Sequence, residues 1–326
     1  MKFLLKLLAT IASILIAYVL IKLVPKEYKI NVLETWLWCP ALIGLMASGQ
    51  FDTIPILFAI LSLYLLKQCR YKLSGLSLAI STLLKQFTIL IVPPIIAYVS
   101  YRRKWNFIIT YLATILLITT PFILYNPKIF IDKVIMYHIN RPPCEISLLH
   151  LVKILNNINE ATYNQLICIW SYVYATIYVI QIILALKHGL KNFNKLLTIL
   201  SIILLTMIII NKVLFQYYLV WFCPLIYITS LNKGKRKINY TTNTLTLLTE
   251  IQATTYVLST WNTTEIINLG KHIDKPALTI LHRLATQFRN IIEVNPHLIL
   301  GTLFDNKHYN IYLLNNSTLE IIIFLN

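Results

Sequence analysis

Asp52, Lys85, Lys212 and Gln216 stand at the edges of long apolar runs, and the segment 126–163, between two such runs, adds Asp132, His138, Arg141 and Glu145. These residue types can do chemistry. Arg neutralises a phosphate through two parallel hydrogen bonds, and Lys does so as a point charge. A carboxylate orients a hydroxyl or takes its proton. A lone Asp or Lys at a helix end is, in most membrane chains, an interfacial residue and nothing more. Charges at bilayer depth are costly, however, and several at one end of a bundle suggest a cavity for a charged ligand. Lys85, Arg141 and Lys212 suit a phosphate; Asp52 or Glu145 suits a hydroxyl.

The elements that must position these residues follow from composition. The chain has 326 residues, of which 57% are hydrophobic and 13% charged, with a mean hydropathy of +0.69. Soluble domains carry about 25% charged residues, so the solvent implied for much of this chain is lipid. Apolar runs lie near 3–24, 33–48, 53–67, 73–84, 86–101, 106–125, 164–186, 196–210 and 215–231. Several are shorter than the ~20 residues of a simple span and are expected to be tilted or buried among neighbours. The fold class is an all-α polytopic membrane bundle of about nine spans over residues 1–235. A small soluble α+β domain follows over 236–326.

Charge sets the expected orientation. The net charge is +17, with 22 Lys/Arg against 6 Asp/Glu in residues 1–235 and 7 against 6 in 236–326. The excess therefore belongs to the membrane part, where short basic turns mark the cytoplasmic side, and it does not call for nucleic acid. Arg70 and Lys72 precede the stretch 73–101, and Arg102, Arg103 and Lys104 follow it. Both clusters belong inside, so the stretch is read as a hairpin turning at Lys85-Gln86. Lys187, His188 and Lys191 form another inner loop, and Lys233, Lys235, Arg236 and Lys237 follow the last span. The outer side receives Gly49-Gln50-Phe51-Asp52, the loop 126–163 and Asn211–Gln216. Nine spans with an inner C-terminus put Met1 outside together with Lys2 and Lys6, so an upstream span is expected. A cleaved signal peptide over 1–24 is the competing reading, although no small-residue cleavage site follows it.

The C-terminal part reads differently. Thr244–Gln252 suggests a short helix, and β-branched runs flank Trp261-Asn262. Pro276 opens a helical pattern to about Val294, and three strand-like runs follow, with turns at Asp305-Asn306-Lys307 and Asn315-Asn316-Ser317. His272, His282 and His308 read as surface or core residues. The five cysteines, Cys39, Cys69, Cys144, Cys168 and Cys223, lack metal-ligand spacing and read as small buried hydrophobes.

Three ordered blocks carry a family resemblance. Residues 36–94 hold Pro40, Gly49, Gln50, Asp52, Lys85 and Pro93; MYHINRPPCEISLLHLV holds Tyr137, His138, Arg141 and Ser147; NKVLFQYYLVWFCPL holds Asn211, Lys212, Val213, Gln216, Tyr217 and Trp221. Together they resemble the GT-C membrane glycosyltransferases, among them the mannosyltransferase of GPI-anchor precursors and its prokaryotic relatives that use polyprenol-phosphate-mannose. The resemblance implies transfer of a hexose, mannose first, from a polyprenyl-phosphate donor to a lipid or glycan hydroxyl. Lys85, Arg141 and Lys212 would meet phosphate, and Gln50, Asp52, His138 and Gln216 would meet sugar or acceptor. The family's acidic motif, often Asp-x-Asp, lies in its first external loop. No Asp-x-Asp occurs in this sequence, so the chain is expected to be N-terminally truncated, its catalytic base is not assigned, and Asp52 is the one candidate. No cofactor is implied, with room left for a divalent metal. The α-β-β-α-β-β-β order of the C-terminal part resembles the roadblock/profilin-like domains, which implies a small GTPase or a second copy of the chain as partner. The alternative to a transferase is a non-catalytic membrane scaffold presenting that cytoplasmic domain to a GTPase.

Overall fold

The computed structural model describes residues 2–247 except 49, 103, 138–140, 142, 144–146, 157, 188–189, 191, 214–215, 237, 240 and 245, and then 309–312 and 322–325. The chain divides into two compact units, the larger being Met1–Leu149 with Asn164–Glu250. The helices of the chain largely follow the apolar runs of the sequence: α1 Lys2–Leu23, α2 Lys29–Leu37, α3 Pro40–Ser48, α4 Thr53–Lys67, α5 Tyr71–Leu84, α6 Val92–Tyr101 and α7 Trp105–Tyr125, then α8 Pro127–Ile131 and α9 Leu148–Leu155, both within the stretch expected to be a loop, and α10 Glu160–Lys187, α11 Phe193–Ile209 and α12 Cys223–Leu231. Most of α9 and the start of α10 belong to the second unit. Short 3₁₀ segments, Gln86–Ile91 and Gln216–Trp221, lead into α6 and α12.

Among the described residues, α1, α7 and α10 are each long and apolar enough to cross a membrane alone. The rest of the bundle is built from shorter pieces, and the breaks have causes. Pro40 lacks a backbone N–H and its ring excludes an α conformation for the residue before it, which separates α2 from α3. Pro93 and Pro94 sit in the first turn of α6, and Pro224 in that of α12, where the lost donor would be unpaired in any case. Leu117, Leu124 and Tyr172 are more than 70% exposed, although a water-solvated helix would bury such side chains. On α7 and α10 this marks lipid-facing surface.

The α4–α5 hairpin holds the register on which the rest depends. Ser74, Ser77 and Ser81 recur at helical spacing along one side of α5, and all three are buried. Each hydroxyl reaches a backbone carbonyl of α4: Ser74 Oγ to Ser62 O (2.8 Å), Ser77 Oγ to Phe58 O (2.7 Å) and Ser81 Oγ to Pro55 O (2.6 Å). Ser62 Oγ answers to Ser74 O at 2.9 Å. Such bonds contribute about 0.6 kcal/mol each inside a membrane, and they fix the sliding position of two otherwise featureless apolar helices. On another side of α5, Gly75 lies against α7 so closely that an added Cβ would stand 2.4 Å from Phe107 O. α5 and α7 run parallel, since Tyr111 Oη also bonds Thr82 Oγ1 (3.3 Å) one helix turn further along.

The basic turns meet at one end of this unit. The Lys104 ammonium lies 5.5 Å from the Tyr71 ring centroid and the Arg102 guanidinium 4.6 Å from that of Tyr98. Tyr98 contacts Phe193 at the start of α11, and Asn232 Nδ2 donates to Asn194 Oδ1 (3.4 Å). The chain therefore turns back at Lys85, as the charge clusters imply. Lys67 Nζ caps the last turn of α1 through Leu23 O (3.1 Å). Beyond α12, Asn243 Nδ2 donates to Thr35 O (3.0 Å), and Tyr227 Oη and Ser230 Oγ bond Asn243 and Asn239, so Asn239 and Asn243 pack on α2 and α12.

In the second unit the described residues are His150–Asn156, Ile158–Tyr163 and two strands, β1 Tyr309–Tyr312 and β2 Ile322–Leu325, which pair antiparallel with Tyr309 opposite Leu325. Lys153 pairs with Glu160, and its ammonium lies 4.7 Å from the Tyr163 ring centroid. The other elements expected over 251–326, and with them the roadblock-like order and its partners, lie outside the described residues.

Candidate active site at the hairpin tip

α4 and α5 have 15 and 14 residues, or about 21–22 Å each at 1.5 Å per residue. Two antiparallel helices of equal length place the residue before the first beside the residue after the second, here Asp52 and Lys85. Lys85 leaves the helix in an extended conformation (φ −155°, ψ 127°). Its carbonyl accepts from Thr88 Oγ1 (3.1 Å), which fixes the bend into the following 3₁₀ segment.

Asp52 is the N-cap residue of α4, yet its side chain makes no cap bond. An N-cap Asp normally accepts from the first turn, a contribution of about 1 kcal/mol. Here Oδ1 accepts from the Lys85 ammonium and from Trp221 Nε1, the latter at 2.7 Å. The carboxylate is fully buried, and Oδ2 has no hydrogen-bond partner among the described residues. A buried carboxylate oxygen without a donor costs more than it returns. The Lys85 side chain keeps 21% of its surface exposed, so the ammonium is the accessible member of the pair.

Aromatic rings enclose this pair. The Lys85 ammonium lies 5.1, 5.3 and 5.6 Å from the ring centroids of Trp221, Tyr218 and Phe51. Trp221 is stacked between Phe87 (4.3 Å) and Tyr218 (3.9 Å). These faces attract the cation; the Trp221, Tyr218 and Phe87 rings are themselves buried, and Phe51 is the partly exposed one. Trp221 reaches the site because α3, freed by the break at Pro40, packs against the Gln216–Trp221 segment. At that junction Cys39 Sγ and Cys223 Sγ are 3.8 Å apart.

The other predicted residues are placed less tightly. Gln50 is half-buried two residues before Asp52, its N–H bonded to Leu45 O (3.2 Å). Gln86 Nε2 donates to Val134 O (2.8 Å), which draws the 132–136 segment to the residue beside Lys85. Arg141 is half-buried, its guanidinium 5.9 Å from the ring centroid of Tyr137. Lys212 is half-buried after α11, between Ile210, whose carbonyl accepts from Trp170 Nε1 (2.8 Å), and the core residue Val213. His138 and Glu145 lie outside the described residues, as does the side chain of Gln216. Among the described residues no three His, Cys, Asp or Glu side chains gather as a metal would require.

A bundle of apolar helices, three of them long enough to cross a membrane among the described residues, with a buried ion pair at the end away from its basic turns, defines an integral membrane protein. Residues 2–210 match the profile of glycosyltransferase family 87; the chain belongs to that family and is a membrane glycosyltransferase. The matched stretch contains Asp52, Lys85 and Arg141, and it ends before Lys212, Gln216 and Trp221. No curated protein and no solved structure matches the chain.

Proposed function

We propose that the chain transfers a hexose, mannose first, from a polyprenyl-phosphate donor to a hydroxyl of a lipid or glycan acceptor. The site lies at the open end of the α4–α5 hairpin, beside the bend at Lys85 between α5 and α6. The observation that carries this is the Asp52–Lys85–Trp221 cluster: a buried carboxylate that forgoes its capping bond to hold an accessible ammonium among aromatic rings. In such a transfer the acceptor oxygen bonds to the anomeric carbon while the bond from that carbon to the phosphate oxygen breaks. Negative charge accumulates on the departing lipid phosphate, and a fixed cation there lowers the barrier. Lys85 is that cation, with Arg141 and Lys212 as further contacts to phosphate. Asp52 Oδ1 positions Lys85, and Oδ2, buried with it, is assigned to take the acceptor hydroxyl's proton once the surrounding rings part to admit the acceptor. Gln50, His138 and Gln216 are assigned to sugar or acceptor. The bundle is read as a GT-C-like arrangement of nine traverses, its basic end and C-terminus in the cytoplasm and the hairpin tip at the opposite leaflet.

The test is transfer of radiolabelled mannose from a polyprenyl-phosphate carrier by purified protein in proteoliposomes. Lys85→Met is expected to lower kcat about 10²-fold or more, as loss of a charge-stabilising donor does, with a smaller change in KM. Full kcat in that variant, in protein that remains folded, would remove Lys85 from the mechanism.

A further inference from the structure

A cavity of about 550 Å³ opens at the opposite end of the larger unit, between α10, α11 and the turn after α12. Its size lies in the usual range for small-molecule sites, about 300–1,000 Å³. The polar and apolar lining residues are sorted along its length. Asn192, Asn194, Lys195 and Lys233 stand at the mouth, where α11 begins and α12 has ended. Deeper along α11 come Thr198, then Ile199, Ile202 and Ile203, with Leu184 and Ala185 of α10 on the facing wall. From residue 194 to 203 the helix advances about 13 Å, and the lining is apolar over most of that length with the two lysines at one end. Ile202 and Leu184 are half-exposed, which leaves the apolar part open to the lipid side. No acidic residue lines it among the described residues. Gln181, on the same wall, has a buried Oε1 with no hydrogen-bond partner among the described residues.

We propose that this cavity binds an anionic phospholipid of the basic leaflet, with its phosphate at Lys195 and Lys233 and an acyl chain along Ile199, Ile202 and Ile203. A basic recess between membrane helices selects anionic headgroups by charge. The graded lining fits a molecule that is itself charged at one end and apolar along its length; a free phosphate matches only the mouth. The site is distinct from the hairpin tip, and its occupancy does not depend on the transfer reaction.

The experiment uses the full chain in detergent, exchanged into phosphatidylglycerol or phosphatidylcholine. Retained lipid is counted by native mass spectrometry and by the shift in melting temperature. Phosphatidylglycerol is expected to be retained at least tenfold better than phosphatidylcholine. The Lys195→Gln/Lys233→Gln variant should lose that preference by about fivefold per lysine, in protein whose lipid-free unfolding remains cooperative. Ile202→Trp, which fills the apolar part, should reduce retention of phosphatidylglycerol while leaving both lysines in place. Equal retention of the two lipids, an unaltered preference in the double lysine variant, or stabilisation by inorganic phosphate equal to that by the lipid would each overturn the assignment.

Discussion

Removing one member of the Asp52–Lys85 pair should hurt far more than removing both. Asp52 is fully buried and Lys85 only 21% exposed, so solvent screens little of their attraction. In the Lys85→Met variant, Trp221 Nε1 is the one donor left to Oδ1 among the contacts described here, and Oδ2 stays unpartnered. Breaking a buried pair from one side costs about 3–5 kcal/mol, whereas replacing both partners by neutral groups is close to neutral. Spread over a bundle of this size, the single variant should melt roughly 10 °C lower. Asp52→Asn alone strands the ammonium, but its aromatic neighbours and partial exposure soften the loss to about 1–2 kcal/mol. The double variant Asp52→Asn/Lys85→Met should recover most of the stability lost in Lys85→Met, to within about 1 kcal/mol of the parent, for a coupling of about 3–6 kcal/mol. Thermal unfolding of the four proteins in one detergent, followed by light scattering and tryptophan fluorescence, closes the cycle. Additive losses, with the double variant the least stable of the four, would refute the pairing and with it the register of the α4–α5 hairpin.

Other perturbations probe the surrounding structure. Trp221→Phe keeps the stack with Phe87 and Tyr218 but deletes the 2.7 Å bond to Asp52. It should lower stability by about 1.5–3 kcal/mol, as for other hydrogen bonds to charge, and lower kcat in the transfer assay. Gly75→Ala drives a Cβ into Phe107 O and should cost about 1–3 kcal/mol as overpacking, read as a drop in melting temperature. Ala at the lipid-facing Ile109 should cost far less. Cysteine reactivity tests the burial pattern in a Cys144→Ser background. A membrane-impermeant maleimide should label the exposed Cys69, while the buried Cys39 and Cys223 react only after denaturation. Cys168, exposed on the apolar α10, should label fast in mild detergent and slowly in the bilayer, where lipid excludes the water-soluble reagent.

Much of the bundle was legible because lipid imposes a strong signal. Helix limits follow the apolar runs, and the return at Lys85 follows from charge clusters at 70–72 and 102–104 that must share a side. The approach of Asp52 to Lys85 was legible in part, as both close the same hairpin. The register that makes them touch rests on Ser74, Ser77 and Ser81, whose helical spacing is visible in the sequence but carries no charge or hydropathy contrast. Trp221 escapes a charge-based search altogether. It lies 169 residues from its partner, its signal is apolar, and what brings it to Asp52 is the packing of α3 against the segment before α12. Phe51, Phe87 and Tyr218 are hidden for the same reason: an aromatic ring in an apolar run looks like core until a cation is found over it.

The position of the pair at the two free ends of one hairpin bears on how the protein is made. A lysine and an aspartate crossing a bilayer separately each face a steep insertion barrier. Asp52 and Lys85 are carried on adjacent helices locked together by hydroxyl-to-carbonyl bonds. They can therefore enter the hydrocarbon as a neutral unit if α4 and α5 leave the insertion machinery together. The serine side of α5 then serves assembly first and the reaction afterwards, by delivering the two charges already joined.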